Sequence, residues 1–198
     1  MTHHEDRRAD MHLDPRNPLV LDTKELGRRP GHMAQIERDV PAPDLFGNEV
    51  IEIAQGEPIE LDLRIESVME GVLISGSARA TATGACVRCL EPVHEPVDVE
   101  FQELFAYADR AAHHNEVAGD DEDMHVLDGD LADLEPMLRD VVVPLLPFQP
   151  VCQEDCPGLC SECGARLADD PDHHHEVIDP RWSALAAMAD AENDEKRN

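Results

Sequence analysis

The chain has 198 residues, 41% of them hydrophobic and 30% charged, and a formal net charge of −28. This composition allows one domain with a packed core and solvated tails. The charge argues against a surface that binds nucleic acid or anionic lipid by itself, because both interactions depend on Lys and Arg side chains. A basic partner is the natural complement, and acidity that serves only solubility is the alternative.

Both ends of the chain are polar and are predicted to be disordered. Residues 1–17 and 190–198 carry many charges and few apolar side chains, so we expect two tails around a domain that spans 18–189. The N-terminal tail has no apolar segment of the kind found in secretory signals. No stretch approaches the roughly 18 apolar residues of a membrane span. The protein is therefore expected to be cytoplasmic.

Order is expected to begin near residues 19–21, and the stretch that follows has a positive balance. Its basic residues are Lys24, Arg28, Arg29 and Arg38. These side chains could contact RNA phosphates. The alternative is a solvated surface on an otherwise acidic protein.

Alternating apolar residues predict β-strands in the next part of the chain. Residues 50–53 open one apolar run, and residues 59–65 alternate between apolar and polar side chains, a period of two that is typical of a half-buried strand. Residues 71–83 and 97–102 predict two further strands. Short turns between such strands favour an antiparallel meander or a small barrel. The predicted fold class is therefore α+β, mainly antiparallel β.

An acidic segment and two helices complete the predicted elements. Residues 109–129 are predicted to form a mobile loop, because charges of one sign repel each other. Apolar residues then recur at helical spacing, with Asp133 as the N-cap and Pro136 in the first turn, where proline is tolerated. This pattern predicts one core helix. The Asp-Pro pair at 179–180 predicts the start of a short C-terminal helix.

Six cysteines carry the strongest chemical signal. The candidate metal ligands are Cys86, Cys89, Cys152, Cys156, Cys160 and Cys163. Four of them fall in a Cys-rich segment, residues 151–167. Thiolates at these short spacings in a reducing compartment are typical of structural zinc sites. We therefore predict Zn²⁺ as a structural cofactor that staples the domain. The number of ions and the cysteines that share each ion stay open.

Two alternatives concern the surroundings of these cysteines. His173, His174 and His175 lie ten to twelve positions after Cys163, within reach of a second site. They could complete that site as ligands, or they could form a polar loop with incidental affinity for transition metals. A dithiol redox role is the other alternative, since Cys-x-x-Cys also occurs in thioredoxin-like proteins, although the βαβ pattern of those proteins is missing.

Taken together, these segments resemble the YceD family of large ribosomal RNA subunit accumulation proteins, in an actinobacterial-like form. The resemblance is carried by residues 81–92, 130–145, 152–164 and 179–182, which include Cys-Val-Arg-Cys-Leu and Gly-Leu-Cys-Ser-Glu-Cys-Gly. It implies a bacterial cytosolic protein needed for accumulation or processing of large-subunit RNA, whose gene commonly neighbours that of a small basic zinc-ribbon protein. It implies no catalytic residues.

The expected function is that of a ribosome biogenesis factor, not an enzyme, which acts by binding through an acidic, metal-stapled domain. Its expected partner is a basic ribosomal protein or a large-subunit assembly intermediate, with RNA bound weakly or indirectly. The alternatives are an RNA-processing nuclease, a thiol oxidoreductase, and an interaction adaptor unrelated to ribosomes. A nuclease would need carboxylates or histidines that hold catalytic metals. The acidic segment supplies carboxylates on a stretch that is expected to be too mobile to position them.

Overall fold

The computed structural model describes residues 12–111 and 124–175. The chain divides into two compact units, Met1–Cys152 and Gln153–Asn198. The predicted C-terminal helix, the C-terminal tail and most of the predicted acidic loop lie outside the described residues. In the described part of the chain, no helix is long and apolar enough to cross a membrane.

The first unit is built mainly of antiparallel strands. The described strands are β1 (Val20–Asp22), β2 (Met33–Pro41), β3 (Phe46–Gly47), β4 (Ile51–Ile53), β5 (Pro58–Ser67), β6 (Gly71–Ala85), β7 (Pro92–Ala106) and β8 (Leu131–Asp133). Six of them form one curled sheet in the order β2-β5-β6-β4-β3, with β7 paired to β6, and β1 pairs with β8 in a second sheet. All of these pairings are antiparallel. The prediction of a mainly antiparallel β fold is therefore confirmed.

The sheet buries one face because its strands alternate as the sequence predicts. The four apolar side chains of β5 are each at most 3% exposed, whereas Glu60 and Asp62 point to solvent. Full burial of a side chain such as Leu63 contributes roughly 1.5–3 kcal/mol. β6 and β7 pair along their whole lengths, from Gly71 with Ala106 to Ala85 with Pro92. This long hairpin ends in the turn that carries the first Cys-x2-Cys pair.

Strand β2 is not predicted from the sequence. Its outward side chains Gln35, Glu37 and Asp39 are polar, and Arg38 interrupts the apolar residues of its inward face. Two nitrogen atoms of the Arg38 guanidinium, Nε and Nη2, are buried and have no hydrogen-bond partner among the described residues. Burial accordingly lowers the pKa of Arg38. A basic residue at an inward position of β2 thus interrupts the alternation of apolar and polar residues by which a strand is recognised in the sequence.

The predicted basic stretch does not form one open cationic surface. Arg38 is turned inward on β2. Arg28 forms an ion pair with Asp130 at 3.7 Å, and its guanidinium carbon lies 4.6 Å from the centre of the Tyr107 ring. Both arginines are directed toward other parts of the protein. This placement argues against RNA contact at this stretch.

Helix α1 (Leu134–Val142) is the predicted core helix. The Asp133 carboxylate accepts a hydrogen bond from the N–H of Glu135 at 3.0 Å, so the predicted N-cap is confirmed. Arg139 pairs with Glu135 one turn away at 2.7 Å. The helix continues into a short 3₁₀ turn, Val143–Leu145. The buried side chains of α1 are Leu134, Met137, Leu138 and Val142.

Residues 12 and 13, at the end of the predicted N-terminal tail, contact the segment before β8. The N–H of Leu13 donates to the Asp128 carboxylate at 2.9 Å, and His12 Nδ1 lies 3.2 Å from the same oxygen. The Leu13 hydrogen bond, followed by the His12 contact, holds the pKa of Asp128 below its usual range. The attachment is therefore present above the ordinary pKa of an aspartate and weakens as the pH falls through the lowered pKa of Asp128.

Candidate metal centres and an acidic sheet face

The first Cys-x2-Cys pair lies in the turn between β6 and β7, in the interval between the strands predicted at residues 71–83 and 97–102. The N–H of Cys86 donates to the carbonyl of Glu91 at 2.7 Å, and the N–H of Leu90 donates back to the carbonyl of Cys86 at 2.9 Å. Leu90 adopts a left-handed conformation with φ of 64°. The N–H of Val87 donates to the carbonyl of Pro150 at 2.9 Å. This last bond joins the turn to the extended segment that leads to Cys152.

Three thiols of the first unit converge at this turn. The sulfur atoms of Cys86, Cys89 and Cys152 lie within 4.8 Å of one another, and those of Cys89 and Cys152 are 3.6 Å apart. Cys86 and Cys89 are buried. A tetrahedral zinc ion with Zn–S bonds of about 2.3 Å places its sulfur ligands roughly 3.8 Å apart. The arrangement therefore fits three ligands of a thiolate metal site.

The surroundings of Cys86 favour its thiolate form. Burial raises the pKa of the Cys86 thiol, but hydrogen bonds from the backbone N–H groups of Cys152, Arg88 and Cys89 outweigh burial and lower this pKa to about 6. The thiolate is the form that binds a soft metal. The turn thus presents Cys86 as a ligand near neutral pH.

The second Cys-x2-Cys pair, in the second unit, repeats the backbone pattern of the first. The N–H of Cys160 donates to the carbonyl of Ala165, and the N–H of Gly164 donates back to the carbonyl of Cys160, both at 2.8 Å. Gly164 has φ of 73° and takes the position that Leu90 takes in the first turn. Each turn ends with a left-handed residue directly after its second cysteine. The two loops are therefore turns of the same backbone type, and both are candidate metal-binding turns.

Two histidines complete a group of four ligand atoms around the second turn. The sulfur atoms of Cys160 and Cys163 and one ring nitrogen each of His173 and His175 lie within 4.8 Å of one another. The Cys163 sulfur is 3.2 Å from Nε2 of both histidines, and the two Nε2 atoms are 2.9 Å apart. His174, between them, instead places its Nδ1 2.9 Å from the carbonyl of Asp172.

The six predicted cysteine ligands are thus divided. Cys86 and Cys89 meet Cys152, whereas Cys160 and Cys163 meet two histidines. Cys156 is buried and is the first cysteine of the second unit. Its ligation stays a prediction from the Cys-x3-Cys spacing. From the sequence alone, it was undecided whether the histidines are ligands. The sequence feature that points to His173 and His175 is their spacing of ten and twelve residues from Cys163.

The left-handed Leu90 gives a test of the first turn. Leu90→Gly should leave metal binding intact and raise the free energy of unfolding by up to about 1 kcal/mol, because a left-handed conformation is costly for residues other than glycine. The matched control is Val87→Gly, an exposed position of the same turn without a positive φ, which should lower stability. Chemical denaturation of the zinc-loaded proteins measures both changes. Equal destabilisation by both substitutions would contradict the expectation.

A separate feature of the first unit is an acidic row across the outer sheet face. The pairing of β2, β5, β6 and β7 places Glu37 opposite Asp62, Asp62 opposite Ser77, and Ser77 opposite Glu100. All three acids are exposed, and none of the four positions in the row is basic. Like charges directly opposite each other destabilise a sheet. We call these three residues, Glu37, Asp62 and Glu100, the acidic row.

The acidic row lies at a concavity on the sheet. Its volume is about 630 Å³, and its lining includes two of the three acids; the lining residues are Gln35, Asp62, Arg64, Ser75, Gly76, Ser77, Glu100, Phe101 and Gln102. On one side of the row, Arg79 pairs with Glu60 at 3.4 Å, and on the other Arg64 pairs with Glu66 at 3.1 Å. The flanking arginines are thus engaged by other acids, which leaves the negative charge of the row available to a partner.

Comparison with known proteins adds to this geometry. The family model described as Large ribosomal RNA subunit accumulation protein YceD matches residues 74–189, which include both Cys-x2-Cys turns. An uncharacterized protein of Mycobacterium tuberculosis is 48% identical over 91% of this chain and 86% of its own length, and one of Mycobacterium leprae is 45% identical over 87% and 78%. The uncharacterized protein YlbN of Bacillus subtilis is 28% identical over 52% of this chain and 58% of its own. No solved structure matches.

Proposed function

The chain belongs to the YceD family, and from that premise we propose that it is a cytoplasmic ribosome biogenesis factor that supports accumulation of large-subunit ribosomal RNA. It acts by binding a basic ribosomal protein, alone or within an assembly intermediate. It is not an enzyme. Direct contact with RNA is weak, because a net charge of −28 repels the phosphate backbone.

The observation that carries this proposal is the acidic row on the sheet. Its three carboxylates come from separate strands, and the like charges of Glu37 and Asp62 lie directly opposite each other, an arrangement that is expected to lower the stability of a sheet. An arrangement of like charges that is unfavourable for the fold is better explained by a role in binding a partner than by a role in stabilising the protein. Lys and Arg side chains of a partner would relieve this repulsion, and complementary charge would speed encounter with that partner.

The metal site of the first unit has a structural role in this proposal. Cys86, Cys89 and Cys152 supply three thiolates, and the Cys-x3-Cys spacing in the sequence predicts Cys156 as a fourth ligand. A site closed by four thiolates has no open position for a substrate or water. Bound zinc would hold the β6–β7 turn to the segment that follows α1, and it would keep the long hairpin in place.

Binding rather than catalysis also has support in the described residues. Within residues 12–111 and 124–175, groups of side chains close enough to hold a metal ion occur in the two cysteine-containing sets, and the acidic row is not among them. A metal-dependent nuclease needs carboxylates or histidines gathered around its ions. The separation of the carboxylates supports their use as a charged docking surface.

Depletion of the protein tests the proposal in cells. We expect the ratio of mature large-subunit to small-subunit RNA to fall, and the tagged full chain to recover basic ribosomal proteins of the large subunit. Recovery should decrease steeply as salt rises, since exposed charges are screened within about 10 Å at 0.1 M ionic strength. An unchanged RNA ratio would contradict the proposed role. Recovery that does not respond to salt would contradict the acidic row as the contact.

The purified protein distinguishes binding from catalysis. Incubation with precursor ribosomal RNA and Mg²⁺ should leave the RNA intact. The Asp62→Asn variant is the control for a contaminating nuclease. Cleavage by an active site that includes the acidic row would be lost with this substitution, whereas cleavage by a contaminant would persist. Cleavage that disappears with Asp62→Asn would overturn the proposal in favour of a nuclease.

A further inference from the structure

We propose that Cys160, Cys163, His173 and His175 form a second metal site, suited to zinc rather than to calcium or magnesium, that organises the described part of the second unit. The four residues lie within one unit and within 16 positions of the chain. The site shares no ligand with the thiolate set of Cys86, Cys89 and Cys152. The inference does not depend on the ribosomal role, since it concerns the chain's own coordination chemistry.

The ligand atoms lie at separations close to those that a tetrahedral ion requires. Zinc with two sulfur and two nitrogen ligands separates those atoms by roughly 3.3–3.8 Å, given bonds of about 2.3 Å to sulfur and about 2.0 Å to nitrogen. The closest pairs here are 2.9 Å between the two histidine nitrogens and 3.2 Å from each to the Cys163 sulfur. Binding would spread them by roughly 0.5 Å or less. Two thiolates with two imidazoles in this geometry select zinc over calcium or magnesium.

Backbone and side-chain groups around the ligands orient them toward a common point. The N–H of Glu162 lies 3.4 Å from the Cys160 sulfur, and backbone N–H groups of Cys163 and Glu162 lower the pKa of the Cys160 thiol. Nδ1 of His173 lies 3.8 Å from a carboxylate oxygen of Asp170, on the opposite side of the ring from the Nε2 that faces the sulfur. A carboxylate on this side of the ring orients a metal-binding histidine once it accepts a hydrogen bond from Nδ1, which requires Asp170 to move closer by somewhat less than about 1 Å.

The described part of the second unit, residues 153–175, has little else to hold these four residues in place. Of its described residues, 153–175, only Cys156 and Gly158 are buried, and none contributes to the hydrophobic core. Its order comes from hydrogen-bonded turns and one isolated β-bridge, Leu159 with Arg166. Chains too short to build a core commonly fold around a metal, whose binding energy then becomes folding energy. A zinc ion would supply that energy here.

His174 separates this proposal from the alternative of a polar loop with incidental metal affinity. An unspecific His run would use its three rings interchangeably. Here His173 and His175 point to the same sulfur, whereas His174 turns to the carbonyl of Asp172. The alternation makes two of the three histidines ligands, and it makes His174 a matched control.

The test measures zinc in the full-length protein. The chain is purified under reducing conditions, loaded with zinc and freed of excess metal, and its zinc content is determined by elemental analysis. We expect two equivalents per chain in the wild type and in His174→Ala, and one equivalent in the double variant His173→Ala with His175→Ala. An equal zinc content in the wild type and the double variant, or a loss in His174→Ala, would each overturn the proposal.

Proteolysis checks whether the ion organises the second unit. Trypsin should cut after Arg166 slowly in the zinc-loaded wild type and in His174→Ala, and at least tenfold faster in the double variant. The β-sheet signal in far-ultraviolet circular dichroism should be the same in all three, because every described strand belongs to the first unit. Equal cleavage rates in the wild type and the double variant would contradict an organising role of the metal.

Discussion

Cys86→Ser should lower the melting temperature of the zinc-loaded protein by roughly 10 °C or more, since a structural zinc site contributes many kcal/mol and each lost kcal/mol lowers the melting temperature by about 2–4 °C. Serine nearly matches cysteine in size, so the buried position stays filled while the soft ligand is lost. The zinc content should fall by one equivalent. Calorimetry and elemental analysis of the same preparation measure both effects.

A chelator separates loss of the metal from loss of packing at Cys86. With zinc removed, wild type and Cys86→Ser should melt at nearly the same temperature, because the ligand no longer has an ion to bind. A difference that persists in chelator would mean that Cys86 stabilises the core by packing alone. Cys152→Ser provides a second variant at an exposed position. It should give the same zinc loss with less disturbance of the core.

Neutralising the acidic row should weaken partner binding and strengthen the fold at once. In a triple variant with Glu37→Gln, Asp62→Asn and Glu100→Gln, we expect affinity for basic ribosomal proteins to fall roughly tenfold, if each exposed charge contributes about 0.5 kcal/mol. The free energy of unfolding should rise by about 0.2–1 kcal/mol, since the repulsion between Glu37 and Asp62 is removed. Binding assays at several salt concentrations and chemical denaturation measure the two effects.

The control for the acidic row changes the same amount of charge elsewhere. Glu49, Glu52 and Glu57 are exposed acids of the first unit outside the row, and their replacement by glutamine gives the same net charge as the triple variant. This control should bind the partner nearly as well as the wild type. Equal weakening by both triple variants would show that overall charge attracts the partner and that the row has no special part. Weakening together with a loss of stability in the row variant would indicate a structural role.

Local patterns in the sequence predict much of the first unit. The sequence predicts β5 because apolar and polar residues alternate along it, as its burial then does. It predicts α1 because Asp133, an apolar stripe and an early proline occur together. β2 escapes prediction, because Arg38 occupies an inward position where the pattern requires an apolar residue. Its place in the sheet depends on pairing with β5, an interaction between distant parts of the chain that no local pattern contains.

The candidate sites divide in the same way. The sequence by itself determined where the two Cys-x2-Cys turns lie and made their cysteines candidate metal ligands, because turn chemistry and ligand spacing are local properties. Only the tertiary structure decided that Cys152, 63 residues after Cys89, joins the first turn, and that His173 and His175 join the second. The acidic row likewise exists only through strand register. Strand pairing brings side chains that are far apart in the sequence to one face of the sheet. Local sequence patterns contain no information about which distant strands pair or in which register.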